Sequence, residues 1–121
     1  MAFFRAGGSG GLNMLLPQKT IAQNIGTSGT TSISVTKKPS LMVYGMWERT
    51  GSNYKGVVAI IDVANQTAKR SGYYGGSATF YNWVDWAWSG VQTYFPTISA
   101  SNVVYNNAAY GANHRMMLMI Y

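Results

Sequence analysis

The sequence predicts an all-β fold, a single-domain antiparallel β-sandwich or jelly roll with a flexible N-terminal arm. Seven or eight short runs rich in β-branched and aromatic residues are separated by turn signals roughly every 8–12 residues, which is the spacing of sandwich strands. No window longer than about ten residues keeps the 3.6-residue period of a helix. With 121 residues and 47% apolar content, the chain is also long enough to enclose one core.

The clearest predicted element is a hairpin in residues 41–63, where two apolar runs flank the polar segment ERTGSN. Both runs are apolar on both faces. The alternating sets are Leu41, Val43 and Trp47 against Met42, Tyr44 and Met46, and then Val57, Ala59, Ile61 and Val63 against Val58 and Ile60. A strand with one solvated face should alternate apolar with polar residues. We therefore expect something to cover the second face, and a second subunit is the simplest cover.

The N-terminal residues 1–17 are predicted to form a Gly-rich arm, and residues 18–121 the sandwich domain. Four glycines and a serine follow Phe3, Phe4 and Arg5, so these three residues resemble a docking group on a flexible tether. A frayed terminus is the alternative interpretation. Residues 18–30 are polar, and their glycines and Thr/Ser residues argue against a sustained helix.

Five further strands are expected along the chain. They lie at residues 31–36, with Ile33 and Val35 inward; at 67–74, near a sheet edge; at 77–83; at 97–104; and at 114–121, with Met116, Leu118 and Ile120 opposite Met117 and Met119. Residues 82–95 fit no simple pattern. We expect the core to contain Ile33, Val35, Val43, Val58, Ile60, Phe80, Ile98, Val103 and Leu118.

The chain has few charged residues, and most of them are basic. Charged residues make up 10% of the sequence, against about 25% in an average soluble domain. The net charge of +6 suggests nucleic acid as a partner, but the cations are dispersed, with adjacent pairs only at Lys37-Lys38 and Lys69-Arg70. Cations that blunt strand ends explain this pattern better. Nucleic acid therefore remains a minor alternative.

The residue inventory offers little chemistry. The chain has three acids (Glu48, Asp62 and Asp85), one histidine (His114) and no cysteine. This predicts a protein without enzymatic activity, metal or cofactor, in which His114 begins a strand and has a satisfied hydrogen bond. No apolar run approaches the roughly 20 residues of a membrane span, and no signal peptide is apparent.

The most unusual stretch is residues 81–95, where three tryptophans fall within six residues. Its candidate contact residues are Tyr81, Trp83, Trp86, Trp88 and Tyr94. Three interpretations are open: the rings fill the core, form a subunit interface, or stack on a glycan of a host surface. We expect at least one of the three tryptophans to be exposed, because three indoles would crowd a two-layer core.

The opening MAFFRAGGSGGL resembles the start of small proteins in the tail modules of tailed bacteriophages, which combine a Gly-rich arm with a compact β-sandwich. The resemblance implies a virion structural protein of the tail-fibre, baseplate or capsid-decoration type. Such a protein is made in the host cytoplasm and released by lysis. It would be a homo-oligomer, with a trimer favoured, would contact other virion proteins through its arm, and could contact the host surface. A carbohydrate-binding module or lectin that uses the Trp-rich loop is the alternative function.

Overall fold

The computed structural model describes residues 16–50, 53–74 and 79–121. In chain order the elements are β1 (Lys19–Ile25), β2 (Thr30–Ser34), β3 (Leu41–Thr50), β4 (Asn53–Asp62), β5 (Thr67–Tyr74), β6 (Thr79–Asp85), α1 (Trp88–Tyr94), β7 (Thr97–Ile98), β8 (Asn102–Asn106) and β9 (His114–Ile120). The strands form a six-stranded sheet, in the order β1-β9-β3-β4-β5-β6, and a three-stranded sheet, in the order β2-β8-β7. All the strand pairs are antiparallel.

Two nested strand pairs give the molecule its sandwich shape. β1 pairs with β9 in the large sheet, and β2 pairs with β8 in the small sheet, so the two ends of the described chain run together through both layers. Such nesting is a feature of jelly rolls, whereas the meander from β3 to β6 extends the large sheet by consecutive hairpins. The predicted all-β sandwich is confirmed.

The core lies between the two sheets. On the large sheet it is formed by alternate residues, which are Met42, Tyr44, Met46, Ala59, Ile61, Met116, Leu118 and Ile120. The small sheet contributes Ile33, Val103 and Tyr105. The cluster also contains Val91 of α1 and Phe95 at its end, so the inner face of the large sheet is covered partly by strands and partly by the helix. Its remaining members are Ile25, Val63, Ala68 and Trp86.

The predicted hairpin is confirmed, and it is longer than expected. β3 and β4 pair over ten residues each, from Leu41 opposite Asp62 to Thr50 opposite Asn53. The expected alternation of β9 is also confirmed. The expected place of Val43, Val58 and Ile60 in the core is wrong, because the register turns all three outward, and Val58 and Ile60 are exposed.

Three further expectations about the strands need correction. The strand at residues 67–74, β5, is not at an edge, because it pairs with β4 on one side and with β6 on the other. The strand expected at 97–104 is two strands, β7 and β8, separated by a turn in which the Ser99 hydroxyl accepts from the Asn102 backbone N–H. β1 was not anticipated as a strand.

Residues 88–94, which no periodic pattern marked, form the short helix α1. Ala87, at its N-cap, makes no side-chain cap, and no acid lies in its first turn. The helix is therefore held by tertiary packing rather than by local signals.

Candidate functional site

The Trp-rich segment divides into a buried part and an exposed part. Trp86 is only 7% exposed, and its ring is stacked 6.5 Å from that of Tyr44. The guanidinium carbon of Arg70 lies 5.7 Å from the centre of the Trp86 ring, on the same inner side of the sheet, which is a cation–π arrangement. Trp86 therefore belongs to the core.

Gly90 shows how tightly Trp86 is enclosed. A Cβ atom at position 90 would lie 2.4 Å from the indole Nε1 of Trp86, so the helix can approach the ring only because residue 90 has no side chain. Trp88 and Tyr94 are half-buried and pack against the core cluster. These two positions also act mainly in packing.

Trp83 is the exposed member of the set, at 49%. The expectation that at least one of the three tryptophans would be exposed is thereby confirmed. Its ring borders a shallow depression of about 510 Å³ together with Ile60, Thr67 and Lys69. The side chain of Tyr81, and the candidate docking residues Phe3, Phe4 and Arg5, lie outside the part of the chain that the structure describes.

Trp83 belongs to a larger apolar surface, which we call the outer face. It is the side of the six-stranded sheet that is turned away from the core. By the strand register, its outward residues are Thr20, Ala22, Asn24, Leu41, Val43, Gly45, Trp47, Gly56, Val58, Ile60, Asp62, Thr67, Lys69, Ser71, Trp83, Asp85, Arg115, Met117 and Met119. The large apolar side chains Trp47, Val58, Ile60, Trp83 and Met117 are between 38% and 51% exposed.

Two depressions of the outer face lie on either side of Trp47. One hollow of about 310 Å³ lies between this ring and Met117, and is floored by Gly45. A second hollow, of about 350 Å³, lies between Trp47 and Val58, beside Gly56. The glycines next to the ring leave it standing between two depressions, as a knob that another protein surface could enclose.

Polar groups lie at the margins of the outer face. Lys69 donates to Asp85 at 2.8 Å, and both side chains are largely exposed. The hydrogen bond and charge of Lys69 hold the pKa of Asp85 below its ordinary value. Hydrogen bonds from the side chain and backbone of Asn65 similarly lower the pKa of Asp62. These acids are ionised and already have partners, which gives neither of them the raised pKa of a general acid.

The one histidine lies in a buried hydrogen-bonded chain. Its Nδ1 is 2.8 Å from the carbonyl oxygen of Ala112, which can only accept, so Nδ1 carries the proton. In the neutral ring, Nε2 then accepts from the Tyr105 hydroxyl at 2.8 Å, and the Tyr44 hydroxyl donates to Tyr105 at 2.6 Å. The prediction that His114 begins a strand with satisfied hydrogen bonds is confirmed.

Burial raises the pKa of Tyr105 to about 12, although the hydrogen bond from Tyr44 acts in the opposite direction. Burial raises the pKa of Tyr44 further, with the neighbouring Tyr105 as the second cause. Both phenols are therefore neutral donors at ordinary pH. The hydrogen bonds from Tyr44 through Tyr105 to His114 stabilise the contact between the two sheets. They place no activated nucleophile beside the imidazole.

The adjacent cations do not form a basic surface. Lys69 points outward to Asp85, whereas Arg70 points inward under Trp86, because successive strand residues face opposite sides. Lys37 and Lys38 lie exposed on a bend after β2. Of the described residues, no group of three or more histidines and acids could hold a metal ion. None of the helices found there is long and apolar enough to cross a membrane.

Comparisons with family models, curated proteins and solved structures give no match for this chain.

Proposed function

We propose that the protein is a non-enzymatic structural subunit of a larger particle, a homo-oligomer that assembles through the outer face. The class that fits best is a virion protein of a tailed bacteriophage, in the tail fibre, the baseplate or the capsid decoration. The single observation that carries this proposal is the apolar character of the outer face. The resemblance of the N-terminal residues supplies the class of particle.

The size of the outer face follows from the geometry of the sheet. With strands about 4.8 Å apart and residues about 3.3 Å apart, six strands of seven residues span roughly 24 Å by 23 Å. That is on the order of 550 Å² on each copy, or about 1,100 Å² for two, before the relief of the side chains is added. Stable interfaces bury about 1,200–2,000 Å² in total. The flat area of the two faces thus lies just below this range, and the relief of the side chains brings it near the lower end of a specific subunit contact.

The arrangement of polarity also resembles an interface. Val43, Val58, Ile60 and Met117 occupy the middle strands β9, β3 and β4. The charged pair of Lys69 and Asp85 lies toward the β6 edge. Subunit interfaces combine an apolar, aromatic-containing centre with a polar rim. An exposed apolar patch of this kind marks a contact site rather than a solvated surface.

The experiment measures sedimentation velocity of the wild type and of Ile60→Lys. Residue 60 is exposed in the single subunit, so lysine there is compatible with the fold, but it would place a charge in a desolvated contact. We expect an oligomer for the wild type, with a trimer favoured, and a monomer for the variant. Ser34→Lys is the matched control, on an exposed position of the small sheet, and should remain oligomeric. A monomeric wild type at micromolar concentration would contradict the proposal.

Carbohydrate binding is the second candidate function, and the exposure of Trp83 favours it. A free indole face can stack on the apolar face of a sugar ring. In this version of the hypothesis, Trp83→Ala abolishes binding to a glycan while the variant remains folded. Retention of binding in that variant would exclude Trp83 as the sugar contact.

A further inference from the structure

A second depression lies at one end of the large sheet, where β1 ends and β9 begins. Its volume is about 500 Å³, within the range of ligand pockets. The lining residues are Asn24, Ile25, Gly26, Trp47, Glu48, Asn113, His114 and Arg115. We call this site the end cleft. The strand register builds it, since Arg115 is opposite Asn24 on one side and Trp47 on the other.

The apolar wall of the end cleft is Trp47. This side chain is 51% exposed and stands where the outer face meets the cleft, so part of its ring surface is turned to each. An indole offers a flat, rigid area with few rotatable bonds, which a ligand can cover at low entropic cost. The cleft therefore contains a stacking surface that is already in place.

Two charged side chains of the end cleft, Arg115 and Glu48, are held in position by neighbours. The Arg115 guanidinium donates through Nη1 to the Asn24 side-chain oxygen at 3.0 Å. The Tyr110 hydroxyl donates to the Glu48 carboxylate. Both ring nitrogens of His114 are engaged, as described above, which fixes the backbone that leads into β9. Groups supported in this way bind a ligand with little loss of conformational freedom.

The set of groups defines the chemistry of the ligand. A guanidinium has five N–H donors in a planar fork, an amide side chain both donates and accepts, and a carboxylate only accepts. A carboxylate opposes a simple anion, and a guanidinium opposes a simple cation. The best match is an uncharged or weakly charged molecule with several hydroxyl groups and one apolar face. A pyranose ring has that description.

We propose that the end cleft binds a saccharide, with one pyranose ring against Trp47 and its hydroxyl groups on Arg115, Asn113 and Glu48. The depression beside Trp83 is a poorer candidate, because its lining offers neither an amide side chain nor a guanidinium. Trp47 and Arg115 border both the end cleft and the outer face, whereas Asn113 lines the cleft alone. Asn113→Ala therefore tests the cleft without changing the outer face.

The test uses the full chain and a defined panel of probes. Methyl glycosides of the common hexoses, N-acetylhexosamines and uronic acids are examined by ligand-observed NMR, and the best binder is titrated by calorimetry. We expect at least one glycoside to bind the wild type. Asn113→Ala and Arg115→Ala should each weaken that binding by about tenfold or more, as loss of a hydrogen bond to a charged or rigid group does. Trp83→Ala should bind like the wild type.

Thermal melting and sedimentation of the same samples separate the outcomes. Asn113 is exposed and precedes β9, outside the outer face, so Asn113→Ala should melt and assemble like the wild type. Arg115 borders both sites, so Arg115→Ala is compared with Asn113→Ala for sugar binding and is not used as an assembly control. The proposal is overturned if no glycoside of the panel binds the wild type, or if both cleft variants bind as tightly as it does. Loss of binding in Trp83→Ala alone would move the site to the outer face and equally overturn it. A monomeric protein that still binds sugar would contradict the assembly proposal only.

Discussion

The two sheets of the sandwich each turn one face away from the core, and these faces differ in chemistry. On the small sheet the outward residues are Thr30, Ser32, Ser34, Asn102, Val104 and Asn106, five of which are polar. On the middle strands of the large sheet, β9, β3 and β4, most of the same positions in the alternation carry leucine, valine, isoleucine, methionine or tryptophan. Both the polar residues of the small sheet and the apolar residues of the large sheet occur in strands, so secondary structure alone does not require the outward residues to be apolar.

The comparison shows that the two faces differ in what they would gain by leaving water. Ser, Thr and Asn side chains on the small sheet can form hydrogen bonds with water. Large apolar side chains gain free energy only when they leave water, by roughly 25 cal/mol for each Å² of apolar surface buried. The outer face therefore has the composition of a surface that another molecule covers.

The largest expected effect is the difference between substitutions at two neighbouring residues of β9, the fully buried Leu118 and the exposed Met117. We expect Leu118→Ala to lower the free energy of unfolding by about 2–5 kcal/mol, because it leaves a cavity in the core. Met117→Ala should change the stability of the monomer by less than about 1 kcal/mol. Urea unfolding at a protein concentration below that of assembly provides the measurement. Equal losses for the two variants would show that the outer face is covered within the subunit itself.

A smaller effect concerns the helix that covers the inner face. Gly90→Ala would place a methyl group against the Trp86 indole, and we expect a loss of about 1–3 kcal/mol, as in other overpacked cores. Gly26→Ala is the control, since nothing lies within 4 Å of a Cβ atom there. Urea unfolding measures the loss of stability. Acrylamide quenching of tryptophan fluorescence measures whether Trp86 becomes more accessible to solvent. If Gly90→Ala has the stability and the quenching of the wild type, α1 does not pack closely against Trp86.

The next effect is a pH dependence of the contact between the sheets. The pKa of Tyr105 is raised from near 10 to about 12, so the folded state retains a proton that the unfolded state releases. Stability is then fully present below pH 10 and falls as the pH rises from 10 to 12. We expect Tyr105→Phe to be less stable at neutral pH by about 1–3 kcal/mol, because two buried partners lose their hydrogen bond.

The measurement for this third prediction is the unfolding midpoint in urea at pH 8 and at pH 11. The urea midpoint should fall less between pH 8 and pH 11 in Tyr105→Phe than in the wild type, since one of the two buried phenols is gone. Tyr121→Phe is the control, because this half-buried residue is not part of the hydrogen-bonded chain. Identical declines in wild type and Tyr105→Phe would exclude Tyr105 as the source of the alkaline loss.

The regular part of the fold could be predicted because it repeats. In β3, β4 and β9 the runs of apolar, β-branched and aromatic residues identify the strands, but both faces are apolar, so side-chain type alone could not separate inner from outer residues. This is why Val43, Val58 and Ile60 were wrongly placed in the core. β1 was missed since KTIAQNI carries only Ile21 and Ile25 toward the core, and an edge strand needs little more. The seven residues of α1 are too few for a helical period, and packing around Tyr44 decides their conformation.

The candidate sites were only partly within reach of the sequence. Three tryptophans in six residues stood out by composition, yet the helix that begins at Trp88 turns most of this segment toward the core. The end cleft left no local signal, because Asn24, Trp47 and Arg115 come from three distant stretches. Only the register of β1, β9 and β3 brings them together. Such pairings depend on the whole topology.

The smallest expected effect on stability concerns what covers the outer face. Deletion of residues 1–11 should leave the melting temperature within about 2 °C of the wild type, because a glycine-rich tether adds little to a core. Sedimentation should show the same oligomer, since assembly is assigned to Ile60 and its neighbours. If the proposed function is right, attachment to the larger particle, which the arm would mediate, should be lost. A Phe3→Ala, Phe4→Ala double variant is the matched test at full length. If the deletion and the double variant both lower the melting temperature by several degrees, the phenylalanines pack on the fold, and the chain's own N-terminal residues, rather than a second copy, become the cover of the outer face.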